Sequence, residues 1–310
     1  MKNDFDILVI GAGISGLASA RALQDQGFSV AILEKSRGLG GRMATRRDEN
    51  GLWDHGVPWL SNGVRREWDG LNSQDWIQVE NLSEPFWVHP KGMTQIAKDL
   101  AKPLTIFREC RAIRLSWNAH SKKWSVDTES NSTFSCSVLI LSAPAPQNVE
   151  LLERSNLLEG SDLLNTLRNI QYRPQIVALG ILHNPKTALW TSTPQEPFEL
   201  LIDQKMKGLQ TSEGYFAAYL DETWSRKYFD SPDPEVSQLI QELLEYRYGI
   251  HPQPIQVKRW RYSQCKNPLK EAYLKPSALP LYLIGDAFAQ GSLIGALKSA
   301  CSLAQSLKSD

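Results

Sequence analysis

The chain has 310 residues, 42% of them hydrophobic, and its 34 Lys plus Arg balance 34 Asp plus Glu. That length supports one large domain or two intertwined ones with ample core, and the balanced charge excludes a global field drawing the chain to nucleic acid or to anionic membrane. No window approaches 18 uninterrupted apolar residues and Lys2, Asp4 and Asp6 break up any N-terminal apolar region, so a cytoplasmic protein without membrane span or signal peptide is expected.

Residues 5–10 predict an apolar strand, 14–26 a helix and 29–34 a second strand, with Gly11-Ala12-Gly13-Ile14-Ser15-Gly16 as the turn between strand and helix. Each part has a role if a dinucleotide is bound. Gly11 permits the tight turn, Gly13 has no side chain to block a pyrophosphate, and Gly16 lets the helix pack closely on the strand. Ile14 and Ser15 open the helix, whose free N–H groups face the phosphates. Glu34, eighteen residues after Gly16, can accept hydrogen bonds from a ribose. Residues 36–65 read as a glycine- and charge-rich loop, 86–89 as a short strand and 93–101 as an amphipathic helix with Met93, Ile96, Ala97 and Leu100 on one face. Strands are expected near 104–107, 110–117 and 123–128, then a buried parallel-type strand at 138–142 that stops at Ala143-Pro144-Ala145-Pro146.

Residues 155–265 have another texture. Strands at 174–183, 198–202 and 214–220 and charged helices near 222–229 and 234–248 predict an antiparallel sheet with helices on one side. A last buried strand at 281–284 runs into Gly285-Asp286 and an alanine-rich helix from about 291 to 307. The fold class expected is α/β: a Rossmann-like cofactor domain from residues 1–60, 92–150 and 270–310, with an inserted α+β substrate domain from 61–91 and 151–269.

Cys110, Cys136, Cys265 and Cys301 are far apart and lack a Cys-x-x-Cys, which points to small core residues. The five histidines show no metal-ligand spacing, so no metal is expected. Three further segments favour a flavin over a nicotinamide cofactor. Glu34-Lys35 continues into a Gly40-Gly41-Arg42 turn, whose glycines admit a bulky ligand and whose arginine can neutralise pyrophosphate. Asp286 stands where it can bond the ribityl or phosphate end of FAD, and Gly295 is among the small residues that let the following helix approach a ring system. Ala143 ends a strand where the chain crosses back between domains.

These segments resemble the FAD-dependent amine-oxidase-like flavoproteins, and within them the renalase family. The resemblance rests on the Gly11–Gly16 turn, on Lys35-Ser36-Arg37-Gly38-Leu39-Gly40-Gly41-Arg42-Met43-Ala44-Thr45-Arg46-Arg47 and on Trp53-Asp54-His55-Gly56. It continues through Gly92-Met93, Trp260-Arg261-Tyr262-Ser263-Gln264 and Gly285-Asp286-Ala287. One departure stands out: Val57-Pro58-Trp59 replaces the usual small residue, glutamine and aromatic. The resemblance implies noncovalent FAD, with Ala112 and Ala143 among the cofactor-binding positions. It implies an oxidase that takes hydride from off-pathway isomers of dihydro-NAD(P) to flavin N5 and yields H2O2 from O2.

Such a reaction needs positioning of a ready hydride donor and no strong acid–base pair. His55, Trp59, Trp260 and Tyr262 are the candidate pocket residues, aromatic walls with one polar edge. Arg46-Arg47 and Arg65-Arg66 can aid a phosphate-rich substrate. The partners expected are a small-molecule substrate and O2. Other readings stay open: an amine oxidase, with Trp260 and Tyr262 as the aromatic pair; a carotenoid-desaturase-like enzyme, for which no membrane-docking surface is visible; and a flavin-binding sensor or scaffold without turnover. A dehydrogenase using NAD alone is weaker still.

Overall fold

A computed structural model describes residues 3–67, 75–79, 85–183, 190–191 and 195–308; the side chains of Arg65 and Arg66 lie outside the described part. In chain order the first elements are β1 (Asp4–Ile10), α1 (Ile14–Asp25), β2 (Val30–Leu33), β3 (Thr45–Arg47), β4 (Leu52–Asp54), β5 (Leu60–Ser61) and α2 (Asn62–Glu67). Then come β6 (Ile77–Val79), β7 (Phe86–Val88), α3 (Thr94–Ala101), β8 (Thr105–Phe107), β9 (Ala112–Asn118), β10 (Lys123–Thr128) and β11 (Thr133–Leu141). The chain continues with α4 (Ala145–Arg154), α5 (Asp162–Arg168), β12 (Tyr172–Ile181), β13 (Trp190–Thr191), β14 (Phe198–Asp203) and β15 (Tyr215–Leu220). It ends with α6 (Glu222–Tyr228), α7 (Asp233–Tyr248), β16 (Ile255–Cys265), β17 (Leu281–Leu283) and α8 (Ser292–Lys308).

Two compact units form. The first comprises Met1–Gly41, Ile96–Tyr172 and Gln264–Asp310, and the second Arg42–Gln95 and Arg173–Ser263. The sequence-based boundaries differ: they place residues 42–60 and 92–95 with the first set of segments and 151–172 and 264–269 with the second. Packing explains the two longest differences. Leu151 and Leu152 of α4 and Leu164 and Leu167 of α5 are buried in the core of the first unit, while Trp53 of β4 is buried with Tyr215 and Tyr219 in the second.

In the first unit a seven-stranded sheet runs β8-β2-β1-β11-β10-β9, with β17 also on β11. The strands β8, β2, β1, β11 and β17 are mutually parallel. The nine-residue β11 pairs with β1 along one edge and serves two neighbours on the other: its first half pairs antiparallel with β10 and its last three residues pair with β17. The apolar runs of β1, β2, β11 and β17 bury Leu8, Leu33, Leu139, Leu141, Leu281 and Leu283, each worth about 1.5–3 kcal/mol. Cys110, Cys136 and Cys265 are buried free thiols and Cys301 is half-buried; burial pushes the Cys136 thiol up to about 12.

The second unit carries a five-stranded sheet, β13-β14-β15-β12-β16, with the β3–β4 hairpin and a small β5-β7-β6 sheet. Alternation sorts β12 and β15 into two apolar faces. Ile176, Ala178, Phe216 and Ala218 pack with Val236, Ile240 and Leu244 of α7. Val177, Leu179, Tyr215, Ala217 and Tyr219 pack with Trp53. The β3–β4 hairpin corrects the loop expected over 36–65, and β16 is a strand that no predicted element covered.

Lys207 fastens this hairpin from the turn after β14. Its ammonium donates to Asp54 Oδ2 at 2.6 Å, and both side chains are 0% exposed. Burial lowers the Lys207 pKa and the Asp54 charge pulls it back up. Removing one partner of such a pair leaves an uncompensated buried charge. Lys207→Met is therefore expected to cost about 3–5 kcal/mol in urea unfolding, and adding Asp54→Asn to recover part of that loss; equal stability of the single variant and the parent would remove the pair from the stability of this unit.

Candidate cofactor and substrate site

Parallel strands leave their carboxyl ends together, and ligands of open α/β sheets gather there. In the first unit Gly11 follows β1, Glu34 and Lys35 follow β2, Ala143 lies just past β11, and Gly285 and Asp286 lie just past β17. Backbone bonds lock these ends in register: Gly11 N–H to Leu33 O at 2.9 Å, Ser142 N–H to Ile10 O at 3.0 Å and Ile284 N–H to Leu141 O at 3.0 Å. Ser142 adds its hydroxyl, which donates to Ile10 O and Gly11 O at 3.0 Å each. The sequence did not mark Ser142 because its partners are more than a hundred residues away.

The glycine turn has the required contrast. Gly11 turns with φ +106°, and a Cβ on Gly16 would stand 2.1 Å from Gly11 O. A Cβ on Gly13 would meet nothing within 4 Å, and its φ of −71° suits any residue. Gly13 thus borders open space at the N-terminus of α1, where Ile14 and Ser15 are buried. Gly40 closes over it, its N–H donating to Ala12 O at 2.8 Å, and Gly41 follows with φ +53°. A space that a side chain would fill beside free helix N–H groups fits a pyrophosphate.

Glu34 is committed more fully than a simple ribose acceptor. Its Oε2 accepts from Ala12 N–H at 2.8 Å, and its Oε1 from Ser36 N–H at 2.8 Å and Ser36 Oγ at 2.5 Å. It ties β2 to the glycine turn while keeping lone pairs for a ribose. Lys35 donates to Gln147 Oε1 at 3.0 Å; burial lowers its pKa, with Arg111 adding to that and Glu34 opposing it. Ala112 opens β9, half-buried. Tyr172, unmarked in the sequence, donates its hydroxyl to Asp286 Oδ1 at 3.2 Å. Ala289, Gln290, Gly291 and Ser292 all have φ between 50° and 83°, a run that costs energy at non-glycine positions and concentrates at ligand sites. Gly295 then lets α8 begin against this turn, since a Cβ there would lie 2.5 Å from Phe288 O. These residues fit the phosphate and ribityl portions of FAD.

The second unit carries the candidate substrate residues. Arg42 Nη1 donates to Tyr262 O at 3.1 Å and Ser263 O at 3.3 Å, so the guanidinium grips the end of β16. Gly56 passes so close to Arg42 O that a Cβ there would stand at 1.8 Å. His55 and Trp260 stack with ring centroids 5.4 Å apart, and Trp260 Nε1–H donates to His55 O at 2.6 Å. His55 Nδ1 is buried and without a hydrogen-bond partner. Burial first, then the charges of Lys258 and Arg46, lower the His55 pKa to about 4 against a pull upward from Asp54. The imidazole is neutral. Trp59 packs on Phe86 at 4.7 Å, and Tyr262 shares a face of β16 with Trp260.

Asp54 holds this arrangement, and sequence reasoning missed its part. Besides Lys207 it accepts from Thr45 Oγ1 at 2.5 Å and Met93 N–H at 2.8 Å. Its own N–H donates to Gln204 Oε1 at 3.0 Å, and its carbonyl accepts from Tyr219 OH at 3.1 Å.

Gly13→Val is expected to fold with near-parent thermal stability yet purify colourless, whereas Gly16→Ala is expected to lower the unfolding midpoint; a yellow Gly13→Val protein would sink the cofactor assignment. His55 supplies a pH prediction. Its value falls from 6.5 to about 4 on folding, so over that window the unfolded chain binds a proton that the native chain does not. Stability then drops as pH falls from about 6.5 toward 4. His55→Gln should flatten that part of the urea midpoint measured against pH.

A profile of the NAD(P)-binding Rossmann-like domain matches residues 9–71, and one of the flavin containing amine oxidoreductases matches residues 73–308. The chain is 22% identical over 340 residues to renalase of Mus musculus, covering 97% of this chain and 98% of that protein. A putrescine oxidase variant has the same fold with TM-score 0.76 at 13% identity, each chain covered in full (100%). Cyclohexylamine oxidase of Brevibacterium oxydans has it with TM-score 0.72 at 12% identity over 99% of each chain. Among the described residues no helix is long and apolar enough to cross a membrane. With a family match across most of its length and a dinucleotide turn at its start, the chain belongs to the flavin containing amine oxidoreductase family and is an FAD-dependent oxidoreductase.

Proposed function

We propose that this oxidoreductase is a renalase-like oxidase: it takes hydride from isomers of dihydro-NAD or dihydro-NADP reduced at the 2- or 6-position, and O2 is the final acceptor. The observation that carries this reading is the neutral, half-buried His55 stacked on Trp260. A flat ring can be held there, and a group that protonates only near pH 4 is a poor base at neutral pH. A dihydronicotinamide needs no base, because it loses a hydride and no proton. The whole-length similarity to renalase supports the same substrate class.

Bound FAD would supply the hydride acceptor and the path of two electrons to O2, so that one dihydronicotinamide, one O2 and one proton would give the oxidised dinucleotide and H2O2. Gly11, Gly13, Gly16, Gly40, Gly41, Glu34, Gly285 and Asp286 would hold it, noncovalently. Trp260 would stack the substrate ring and exclude water. His55 would orient the ring by a hydrogen bond through its free Nδ1. Arg42, by bonding the Tyr262 and Ser263 carbonyls, would keep the end of β16 in place.

An amine substrate fits less well, because an ammonium ion would enter a region where burial, with the charges of Lys258 and Arg46, already holds His55 in its neutral form. Anaerobic stopped-flow mixing tests the reading. The yellow protein is mixed with partly isomerised NADH and NADPH, with ordinary NADH and with a panel of amines, and flavin absorbance is followed. Bleaching by the isomer fraction alone, then recovery with H2O2 on admitting oxygen, is expected. Bleaching by an amine would assign an amine oxidase, and no bleaching by any donor a flavin-binding protein without turnover. Acid precipitation should release all the FAD into the supernatant.

A further inference from the structure

Strand β16 carries cations on both faces, and the two faces are treated differently. Arg259 forms an ion pair with Asp233, and Arg261 one with Asp230 at 3.2 Å. Lys258 lies on the other face with Trp260 and Tyr262. On the β3–β4 hairpin Arg47 is likewise satisfied, its guanidinium donating to Lys91 O at 2.5 Å and Thr45 O at 3.4 Å. Its neighbour Arg46 stands opposite Trp53 in the register, so both side chains leave the hairpin on one side. Trp53 is buried in the cluster that Trp260 packs against.

Arg46 and Lys258 thus both border the cluster of Trp53 and Trp260, the ring on which His55 stacks. They are close enough for each charge to act on His55 and for Arg46 to act on Lys258. Neither side chain has an ion pair or hydrogen bond among the described residues. The acid whose charge reaches Lys258 is Asp233, already paired with Arg259. Two like charges thus stand near one another without a counterion among the described residues, beside a buried imidazole nitrogen that also lacks a partner.

We propose that Arg46 and Lys258 form an anion site that takes a phosphate group of the substrate while its ring lies on Trp260. An arginine fork and a lysine point charge together suit a pyrophosphate or a terminal phosphate. The assignment to substrate rests on the reading above, and the anion site does not. It makes the enzyme selective for phosphorylated dihydronicotinamides over the riboside, and it acts against amines.

The test uses the FAD-loaded protein, so that the cofactor's own phosphate site is filled. Sodium pyrophosphate is titrated calorimetrically into the parent, Arg46→Ala, Lys258→Ala and the double variant. Each single change is expected to weaken binding about tenfold or more, the range of a charge-assisted hydrogen bond, and Lys258→Arg to retain it. No binding to the parent, or equal binding to the double variant, overturns the site. A second arm compares flavin reduction by the isomeric dihydro-dinucleotide and by the corresponding dihydro-riboside. The preference for the dinucleotide should collapse about a hundredfold in the double variant; an equal loss for both donors refutes the phosphate role. Pyrophosphate binding through the pair, with no bleaching by any dihydronicotinamide, would sustain the anion site and overturn the substrate reading.

Discussion

The ion pair between Lys207 and Asp54 is the constraint on which the second unit turns. A charge pair removed from water pays a desolvation penalty that its attraction recovers only when the remaining hydrogen-bond capacity is also filled. Here it is filled on the carboxylate: Thr45, Met93 and Lys207 together supply three donors. The Asp54 backbone is fixed as well, by Gln204 and Tyr219. His55 is the next residue, so its position follows from the network. The buried pair therefore specifies geometry more than it adds stability, and the geometry it specifies is that of the His55–Trp260 stack.

In the first unit the equivalent constraint is topological. Four parallel strands end side by side, and the residues immediately beyond them carry the glycine turn, Glu34, Ala143 and Gly285-Asp286. These positions are scattered over more than 270 residues of sequence, yet the ladder from β2 through β1 and β11 to β17 leaves no other place for them. Glu34 shows how a fold and a ligand use one group. It braces the turn through Ala12 and Ser36, which preorganises the same backbone that a pyrophosphate would contact.

What was legible in the sequence follows the range of the interactions involved. The β1–α1–β2 segment was readable to within about a residue, because its signals are local: an apolar run, three glycines, an acid. Helices α6 and α7 were readable for the same reason. The β3–β4 hairpin was not, since Arg46 and Arg47 hide any alternation and its support is distant, from Thr211 to Leu52 N–H and from Tyr215 to Asp48. Helix α4 is hidden because Ala143-Pro144-Ala145-Pro146 reads as the end of a strand; the same prolines sit at the cap and first turn of a helix, where a missing N–H costs nothing. Lys207 had no signal at all. A lone lysine in a turn reads as solvated surface, and its partner is 153 positions away. Of the candidate site, glycines and aromatics were accessible to sequence reasoning, and the electrostatics were not.

Those electrostatics bear on the reaction proposed. Oxidation of a dihydropyridine ring leaves a pyridinium, so positive charge grows on the substrate as hydride departs. A protonated histidine against that ring would oppose the reaction, and a site acts best when its charges are arranged for the state being formed. Burial, Arg46 and Lys258 together keep His55 neutral. The two cations would oppose the growing charge themselves unless an anion lay between them and the ring's surroundings. A substrate that carries its own phosphates brings that anion, whereas a simple amine brings a second cation. On the function proposed, the same pair would assist burial in keeping the imidazole neutral and would distinguish the substrates whose oxidation a neutral imidazole favours.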